Sequence, residues 1–415
     1  MGKKFHFYMF IIVLLLGIPA TLITYLFIFI IDNISIYVIT YFSNSPLIIL
    51  IPGLGGLLVG LILKYGNLSA KGHGVPLLLA TIESEKTGLT KRDLNSEVLA
   101  TTLTIITGGS VGLVGPIIEL TTGITDLIGR YLKFNLLDYQ ILIGSGAAAS
   151  FAAVFQAPIA GIIFSLEVIH KDWSLKNLFY TSIAAFSGFW IMNLINPKYI
   201  YLFQSDIKMK AINFNQYMFI LLFAFFISFI GWLFINILLF NENLFCSIEI
   251  PLYLKPVIGG LLVGYIGYYY IQIMGTSSTI ISGLDQFKGG INLLFLILLL
   301  KILATGFSIG SGGSGGLFAP MILIGLLSGL LVGNIGLIYL PVYAINPLLL
   351  ALFGIAGIFG GLIKAPITGV ILILELFYLP NLIIPLILIS FIPYIILNLL
   401  GVQSIYSPTL FKRKL

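Results

Sequence analysis

The chain contains two motifs twice, in the same order. Residues 157–167 (APIAGIIFSLE) and 365–375 (APITGVILILE) are identical at seven of eleven positions and lie 208 residues apart. Residues 108–116 (GGSVGLVGP) and 312–320 (GGSGGLFAP) are identical at six of nine positions and lie 204 residues apart. Two motifs repeated at nearly one offset indicate a duplicated unit. In membrane proteins, such duplication is typical of transporters and channels whose site lies where two halves meet.

Long stretches without charge indicate that the chain crosses a bilayer many times. The longest, from Ile302 to Ile363, covers 62 residues without Asp, Glu, Lys or Arg. A membrane-spanning helix needs about 20 apolar residues. Only 9% of all residues are charged, compared with about a quarter in soluble domains. We therefore predict an all-α polytopic membrane protein in which the apolar segment Phe5–Ile31 forms the first span.

The charges at the two ends of the chain predict its topology. Lys3 and Lys4 at the start and three basic residues at 412–414 place both termini in the cytoplasm by the positive-inside rule. The net charge of +6 then reflects topology rather than a nucleic-acid partner. Richness in Ile, Asn and Lys suggests a prokaryotic plasma membrane. The single cysteine, Cys246, excludes an internal disulfide and a cysteine metal cluster, and we expect no metal and no cofactor.

The repeat also defines the organisation of the chain. It predicts a first transmembrane half-repeat at 5–197, a connector at 198–210, a second half-repeat at 211–402, and a C-terminal helix with a basic tail at 403–415. In both halves, glycine-rich stretches are followed closely by proline. Proline suits the first turn of a helix and glycine lets the backbone approach a ligand, so these stretches predict helices that begin inside the membrane.

Such helix starts would create a site for a small negative ion. The N-terminus of a helix carries a partial positive charge and N–H donors, so several N-termini directed at one point bind an anion without a basic side chain. Weak partial charges also allow the ion to leave again. The alternative is that small residues only permit close helix packing. That alternative accounts for the glycines at 259–264 and 325–333, but not for the glycine–proline order in both halves.

Four motifs resemble those of the CLC family of chloride channels and proton-coupled anion exchangers. Residues 72–76 (GHGVP) are similar to the family's G-S-G-I-P, and residues 112–116 (GLVGP) to its G-R/K-E-G-P. Residues 316–320 (GLFAP) are similar to G-x-F-x-P, and Tyr406 matches an anion-coordinating tyrosine. The anion-binding positions implied by the resemblance are Gly72, His73, Gly74, Val75, Pro76, Gly112, Leu113, Val114, Gly115, Pro116, Gly316, Leu317, Phe318 and Tyr406.

The resemblance implies an architecture and a set of partners. The fold would consist of about eighteen broken, tilted transmembrane helices arranged as an inverted repeat. The protein would be a homodimer in the lipid bilayer, with one pore in each subunit. Its bound ligand would be a small inorganic anion, with chloride as the default.

Two valines depart from the family pattern. Val114 replaces the glutamate that gates the pore and takes part in proton transfer in relatives, and Val168 replaces their second, inner proton glutamate. Because a valine binds no proton, we predict a passive, proton-uncoupled anion channel. The alternatives are an uncoupled carrier, a channel selective for another small anion, and a nonconducting sensor or assembly paralogue.

Two ionisable residues leave alternatives open. His73 stands where the family most often has an anion-contacting serine, so it either sets the anion preference or turns away to a backbone carbonyl. Glu119 lies one turn into the helix after Pro116. It is either a displaced proton carrier or a carboxylate stabilised by a basic residue or by its own helix N-terminus.

An enzymatic function is not expected. The pattern Gly-x-Ser-x-Gly occurs around Ser110, Ser308 and Ser314, but a nucleophile elbow also needs a preceding strand and a partner histidine. These serines lie in charge-free stretches, where the abundance of glycine makes such matches common.

Overall fold

The structure, a computed structural model, describes residues 2–66, 90–197, 212–277, 280–281 and 290–407, with only the backbone of residues 2–6, 31 and 32. Within these residues the chain is helical almost throughout, as predicted. The α-helices described are α1 (Gly2–Leu15), α2 (Gly17–Ile30), α3 (Ile36–Phe42), α4 (Leu50–Tyr65), α5 (Lys91–Ile106), α6 (Val114–Tyr131), α7 (Leu136–Phe155), α8 (Pro158–Phe164), α9 (Leu175–Ile195), α10 (Phe214–Ser247), α11 (Lys255–Tyr269), α12 (Ile291–Gly310), α13 (Phe318–Tyr339), α14 (Pro347–Ile358), α15 (Pro366–Phe377) and α16 (Ile383–Leu399).

Shorter turns interrupt or extend these helices. The π-helical turns are Ile31–Ser35, Ser165–His170 and Phe359–Ile363, and the 3-10 turns are Pro46–Ile49, Leu252–Leu254, Ile271–Ile273 and Pro380–Leu382. By length and composition, eight helical stretches of the described chain are able to cross a membrane. The first of them, Phe7–Phe42, extends beyond the predicted first span. The apolar helices α8, α14 and α15 are shorter, as expected for helices that begin within the bilayer.

The repeated sequence motif forms the same backbone turn twice. Gln156 and Lys364 lie 208 residues apart, and both adopt left-handed conformations, with φ of 55° and 66°. Each ends a helix and is followed by alanine and then by the proline that begins α8 or α15. Because proline lacks an N–H, it fits the first helical position in both places. The duplication therefore exists in the backbone as well as in the sequence.

The two halves also pack on each other reciprocally. Helices α4 and α11 cross so closely that a Cβ on Gly56 would strike the carbonyl oxygen of Pro256, and a Cβ on Gly260 would strike that of Pro52. The repeat offset of 204 residues relates Gly56 to Gly260 and Pro52 to Pro256. When residue i contacts j′ and i′ contacts j, the two units are related by an approximate two-fold axis.

Two predicted boundaries fall at the edge of what is described. The connector 198–210 lies outside the described residues. The segment 403–407, expected to begin a C-terminal helix, forms turns that fold back on the rest of the chain, and residues 408–415 lie outside the described part.

Candidate anion site

A backbone bridge joins the second and third motifs at the centre of the protein. The N–H of Gly112 donates to the carbonyl of Gly316 at 2.6 Å, and the N–H of Gly316 donates to that of Gly112 at 2.7 Å. A Cβ on Gly316 would lie 2.9 Å from the nitrogen of Gly115 and 3.0 Å from the oxygen of Gly112. Glycine is required at this crossing because a side chain would push the two halves apart.

Two helices begin directly after this bridge. Val114 opens α6 and Phe318 opens α13, and the preceding residues, Leu113 and Leu317, make no side-chain hydrogen bond to cap either helix. The first-turn N–H groups of both helices therefore lie at one junction without a side-chain cap. Such groups carry partial positive charge and stabilise an anion. The glycine–proline patterns predicted both helix starts.

Serine and threonine hydroxyls hold the two glycine-rich stretches in place. The Ser110 hydroxyl is 3.0 Å from that of Thr305 on α12, and the Ser314 hydroxyl is 3.0 Å from that of Thr101 on α5. The two pairs are related by the offset of 204 residues. Sequence reasoning missed both threonines, although extending the repeat alignment backwards by a few residues would have shown them. The Ser308 hydroxyl accepts a hydrogen bond from the N–H of Ser110 at 2.9 Å, which gives it a structural role rather than that of a nucleophile.

The fourth motif meets the third through aromatic rings. Tyr406 is 1% exposed, and its ring centroid lies 5.5 Å from that of Phe318. The chain beyond α16 is held there because the N–H of Ile405 donates to the carbonyl of Leu362 at 2.9 Å. Four further rings surround Phe318, and sequence reasoning did not identify them. They are Phe151, Phe155, Phe164 and Phe359, with centroids between 5.7 and 6.3 Å from that of Phe318.

The structure places the predicted positions as follows. Gly112, Val114, Gly316, Phe318 and Tyr406 come together around the bridge and the aromatic rings. Leu113, Gly115, Pro116 and Leu317 lie beside them in the chain and are buried. The first motif, Gly72, His73, Gly74, Val75 and Pro76, lies outside the described residues.

The two valines predicted to stand at the positions of the proton glutamates are both buried. Val114 is fully buried, and Val168 is 5% exposed in the π-helical turn after α8; both belong to the main hydrophobic core. The adjacent Glu167 directs its carboxylate to the N-terminus of α15 instead.

Glu119 is 1% exposed on α6, and no Lys or Arg of the described chain forms an ion pair with it. Its Oε2 atom has no hydrogen-bond partner. A second buried carboxylate, Glu97 on α5, is likewise 1% exposed. Sequence reasoning did not single out Glu97, because a carboxylate near the start of a helix normally lies in solvent.

A family model described as voltage gated chloride channel matches residues 55–398. The chain is a member of the CLC family. An uncharacterized protein of Methanocaldococcus jannaschii is 32% identical over 344 residues, which cover 82% of this chain and 83% of that protein. The H(+)/Cl(-) exchange transporter ClcA of Vibrio parahaemolyticus is 29% identical over 311 residues, or 73% of this chain and 66% of the transporter.

Solved structures of CLC proteins share the fold. A slow cyanobacterial Cl-/H+ antiporter aligns with a TM-score of 0.87 and 20% identity over 97% of both chains. A CLC-type fluoride/proton antiporter aligns with a TM-score of 0.84 and 22% identity over 98% of this chain and 99% of the other. This CLC protein is thus an integral membrane protein of a family whose members are anion transporters rather than enzymes.

Proposed function

We propose that this CLC protein is a passive, proton-uncoupled anion channel with chloride as its default ion. The observation that carries the proposal is the pair of buried valines, Val114 and Val168, at the two positions where coupled relatives have proton-binding glutamates. Intramembrane proton transfer needs ionisable side chains that take up and release the proton along the path. An isopropyl group does neither, and it cannot compete with an anion for a site made of N–H groups.

The geometry at the bridge supports an anion as the ion carried. The uncapped helix starts at Val114 and Phe318 offer backbone donors and partial positive charge, without a basic side chain that would retain the ion. The proposal includes a homodimer with one pore per subunit, a prokaryotic plasma membrane and cytoplasmic termini. The relative from Vibrio parahaemolyticus is named as an exchange transporter, so the uncoupled mode is the part of the proposal that most needs a direct test.

The test is the reversal potential of the purified protein in a planar bilayer or in liposomes. For an uncoupled path, it equals the Nernst potential of the anion and does not move when a proton gradient is imposed. The ClcA exchanger serves as the control, since exchange of anions for protons makes its reversal potential depend on both gradients. A reversal potential of this chain that moves with the proton gradient would contradict the proposal.

The rate and selectivity of anion efflux separate the remaining alternatives. Efflux measured with valinomycin to balance charge is fast for a channel and slow for an uncoupled carrier. A panel of halides with fluoride and nitrate tests whether His73 selects another anion. The absence of efflux from vesicles that contain folded protein would favour a nonconducting sensor or assembly subunit.

A further inference from the structure

Two buried carboxylates lie side by side behind the anion site. Glu97 on α5 accepts hydrogen bonds through Oε1 from the hydroxyls of Ser314, at 3.1 Å, and Thr101, at 3.3 Å. Glu119 lies one turn before Gly123 on α6, and an added Cβ on Gly123 would strike the side chain of Leu94, one turn before Glu97 on α5. The two carboxylates therefore lie on neighbouring turns of packed helices. Their Oε2 atoms are buried and have no hydrogen-bond partner among the described residues. Each carboxylate thus retains an acceptor that the described part of the chain does not satisfy.

The equivalent position in the second half of the molecule holds a buried charge whose hydrogen bonds are all made. The repeat offset of 204 residues relates Glu97 to Lys301, just as it relates Thr101 to Thr305. The ammonium group of Lys301 donates to the carbonyls of Ile273, at 3.0 Å, and Gly275, at 3.3 Å, and to the hydroxyl of Ser277, at 2.8 Å. These three acceptors match its three protons. The buried charge of the second half is thus fully satisfied, whereas Glu97 and Glu119 of the first half each keep one oxygen without a donor among the described residues.

No cation of the described chain supplies that donor. Asp93, one turn before Glu97 on α5, is a further acid rather than a donor of positive charge. The charged groups on the elements packed around α5 and α6 have other partners. Lys64 on α4 lies over the ring of Tyr253, Arg92 donates to the carbonyl of Tyr65, Arg130 pairs with Asp126, and Lys176 pairs with Asp138 on α7. The glycine-rich stretch 311–317 and helix α13 contain no charged residue.

We propose that Glu97 and Glu119 share one bound proton, and that loss of this proton slows the passage of anions. Two neighbouring carboxylates in a low-dielectric interior cannot both be ionised at moderate pH. A protonated carboxyl gains an O–H donor, which is the group that the unpartnered oxygens lack. The proton is held rather than carried, because the valines at 114 and 168 provide no group to pass it on. This inference rests on the proposed anion path.

The pair is placed to influence that path. Ser314, which binds Glu97, lies in the glycine-rich stretch that leads to Phe318. Glu119 is five residues after Val114 on α6, or about 8 Å along a helix at about 1.5 Å per residue. When the shared proton leaves, one further negative charge remains at this distance from the anion. With an effective dielectric constant of about 20, the added repulsion corresponds to a flux about thirtyfold lower.

The test compares anion flux at acidic and alkaline pH, with the same pH on both sides of the membrane. The wild-type flux should fall about thirtyfold as the pH rises, while the reversal potential stays at the anion's Nernst potential. In the double variant E97Q/E119Q, which keeps the shape of both side chains, the flux should remain at the acidic level at every pH. The matched control is Glu249→Gln at an exposed site, which should behave as the wild type.

An infrared difference spectrum tests the inference on the wild-type protein, without a flux measurement and without a variant. The wild-type protein should show the C=O band of a buried protonated carboxyl at acidic pH and lose it at alkaline pH. Absence of this band, a flux that does not change with pH, or a pH response that survives in E97Q/E119Q would each overturn the inference while leaving the uncoupled channel intact. If the infrared band is absent and the flux changes when sodium is replaced by a large organic cation, the pair binds a metal cation instead.

The failure of the proposed function has a different signature. If the reversal potential of the wild type follows the proton gradient, transport is coupled. Loss of that dependence in E97Q/E119Q would then show that the pair carries protons, which overturns the inference of a stationary proton as well.

Discussion

Replacing Glu167 with alanine should destabilise the protein more than replacing Glu375 with alanine. The Glu167 carboxylate, after α8, accepts hydrogen bonds from the N–H of Ile367 at 3.1 Å, the N–H of Thr368 at 2.8 Å, and the hydroxyl of Thr368 at 2.7 Å. These donors belong to the first turn of α15. A carboxylate from the first half of the molecule thus caps a helix of the second half.

The reciprocal cap of α8, formed by Glu375, has one hydrogen bond fewer. The Glu375 carboxylate on α15 accepts from the N–H groups of Ile159 at 2.9 Å and Ala160 at 2.8 Å, in the first turn of α8. The offset of 208 residues relates Glu167 to Glu375 and Thr368 to Ala160. Alanine has no hydroxyl, so the two caps differ by the single bond that Thr368 adds.

The magnitude follows from counting acceptors. An alanine side chain has no hydrogen-bond acceptor. In Glu375→Ala, two backbone N–H groups lose their partner, at a cost of about 1–3 kcal/mol each, and the favourable interaction of the charge with the helix N-terminus, worth up to about 1 kcal/mol, is also lost. In Glu167→Ala, the hydroxyl of Thr368 also loses its acceptor, which adds about 1 kcal/mol.

The assay is reversible unfolding in mixed detergent and SDS micelles, read as a difference in the free energy of unfolding. The control Glu249→Ala, at an exposed position, should change that free energy by less than about 0.5 kcal/mol. Thr368→Ala makes the two caps alike, so a double-mutant cycle with Glu167→Ala should give a coupling of about 1 kcal/mol. Equal costs for the two alanine variants, or costs no larger than that of the control, would refute the reasoning.

Two further substitutions test the bridge and the gate. Gly316→Ala should abolish anion flux and lower stability, because its Cβ would lie 2.9 Å from the nitrogen of Gly115 and 3.0 Å from the oxygen of Gly112. Gly290→Ala, which meets nothing within 4 Å, should leave flux and thermal stability unchanged. Val114→Glu should introduce a carboxylate at the helix starts, so the flux at neutral pH should fall at least about tenfold and recover in acid. A Val114→Gln variant of equal size should show no recovery in acid; if both variants behave alike, size rather than charge blocks the path.

Much of the fold could be predicted from the sequence because two of its signals are local. Runs of apolar residues identify spanning helices, and a glycine-rich stretch before proline identifies a helix start, as at Val114 and Phe318. The repeat added one long-range inference, that the second and third motifs meet between the halves. Their meeting through the backbone of Gly112 and Gly316 is consistent with that prediction.

Other parts of the candidate site depend on tertiary contacts that no local pattern indicates. The ring of Phe164 packs against Phe318 because α8 and α13 are brought together by the fold, although 154 residues separate them. Glu97 lies in a helix of low overall hydrophobicity, and only the approach of α6 and of the stretch around Ser314 buries it. The sequence analysis considered a basic partner for Glu119. The described residues contain none, because packing can bury a carboxylate without bringing a cation to it.

Because the fold is an approximate repeat, the two valines also make the two halves of the site more alike. Val114 corresponds to Phe318 at the offset of 204 residues, and Val168 corresponds to Leu376 at the offset of 208 residues. With valine at both places, each half presents an apolar side chain at its helix start and another near the end of its repeated motif. The site then consists of two nearly equivalent helix N-termini with no titratable side chain of their own. Apart from His73, which lies outside the described residues, a dependence of anion passage on pH would therefore arise behind the two helix starts, where the halves differ in charge. Among the described pairs of repeat-related residues, Glu97 and Lys301 show that difference directly next to the hydroxyls that hold the bridge.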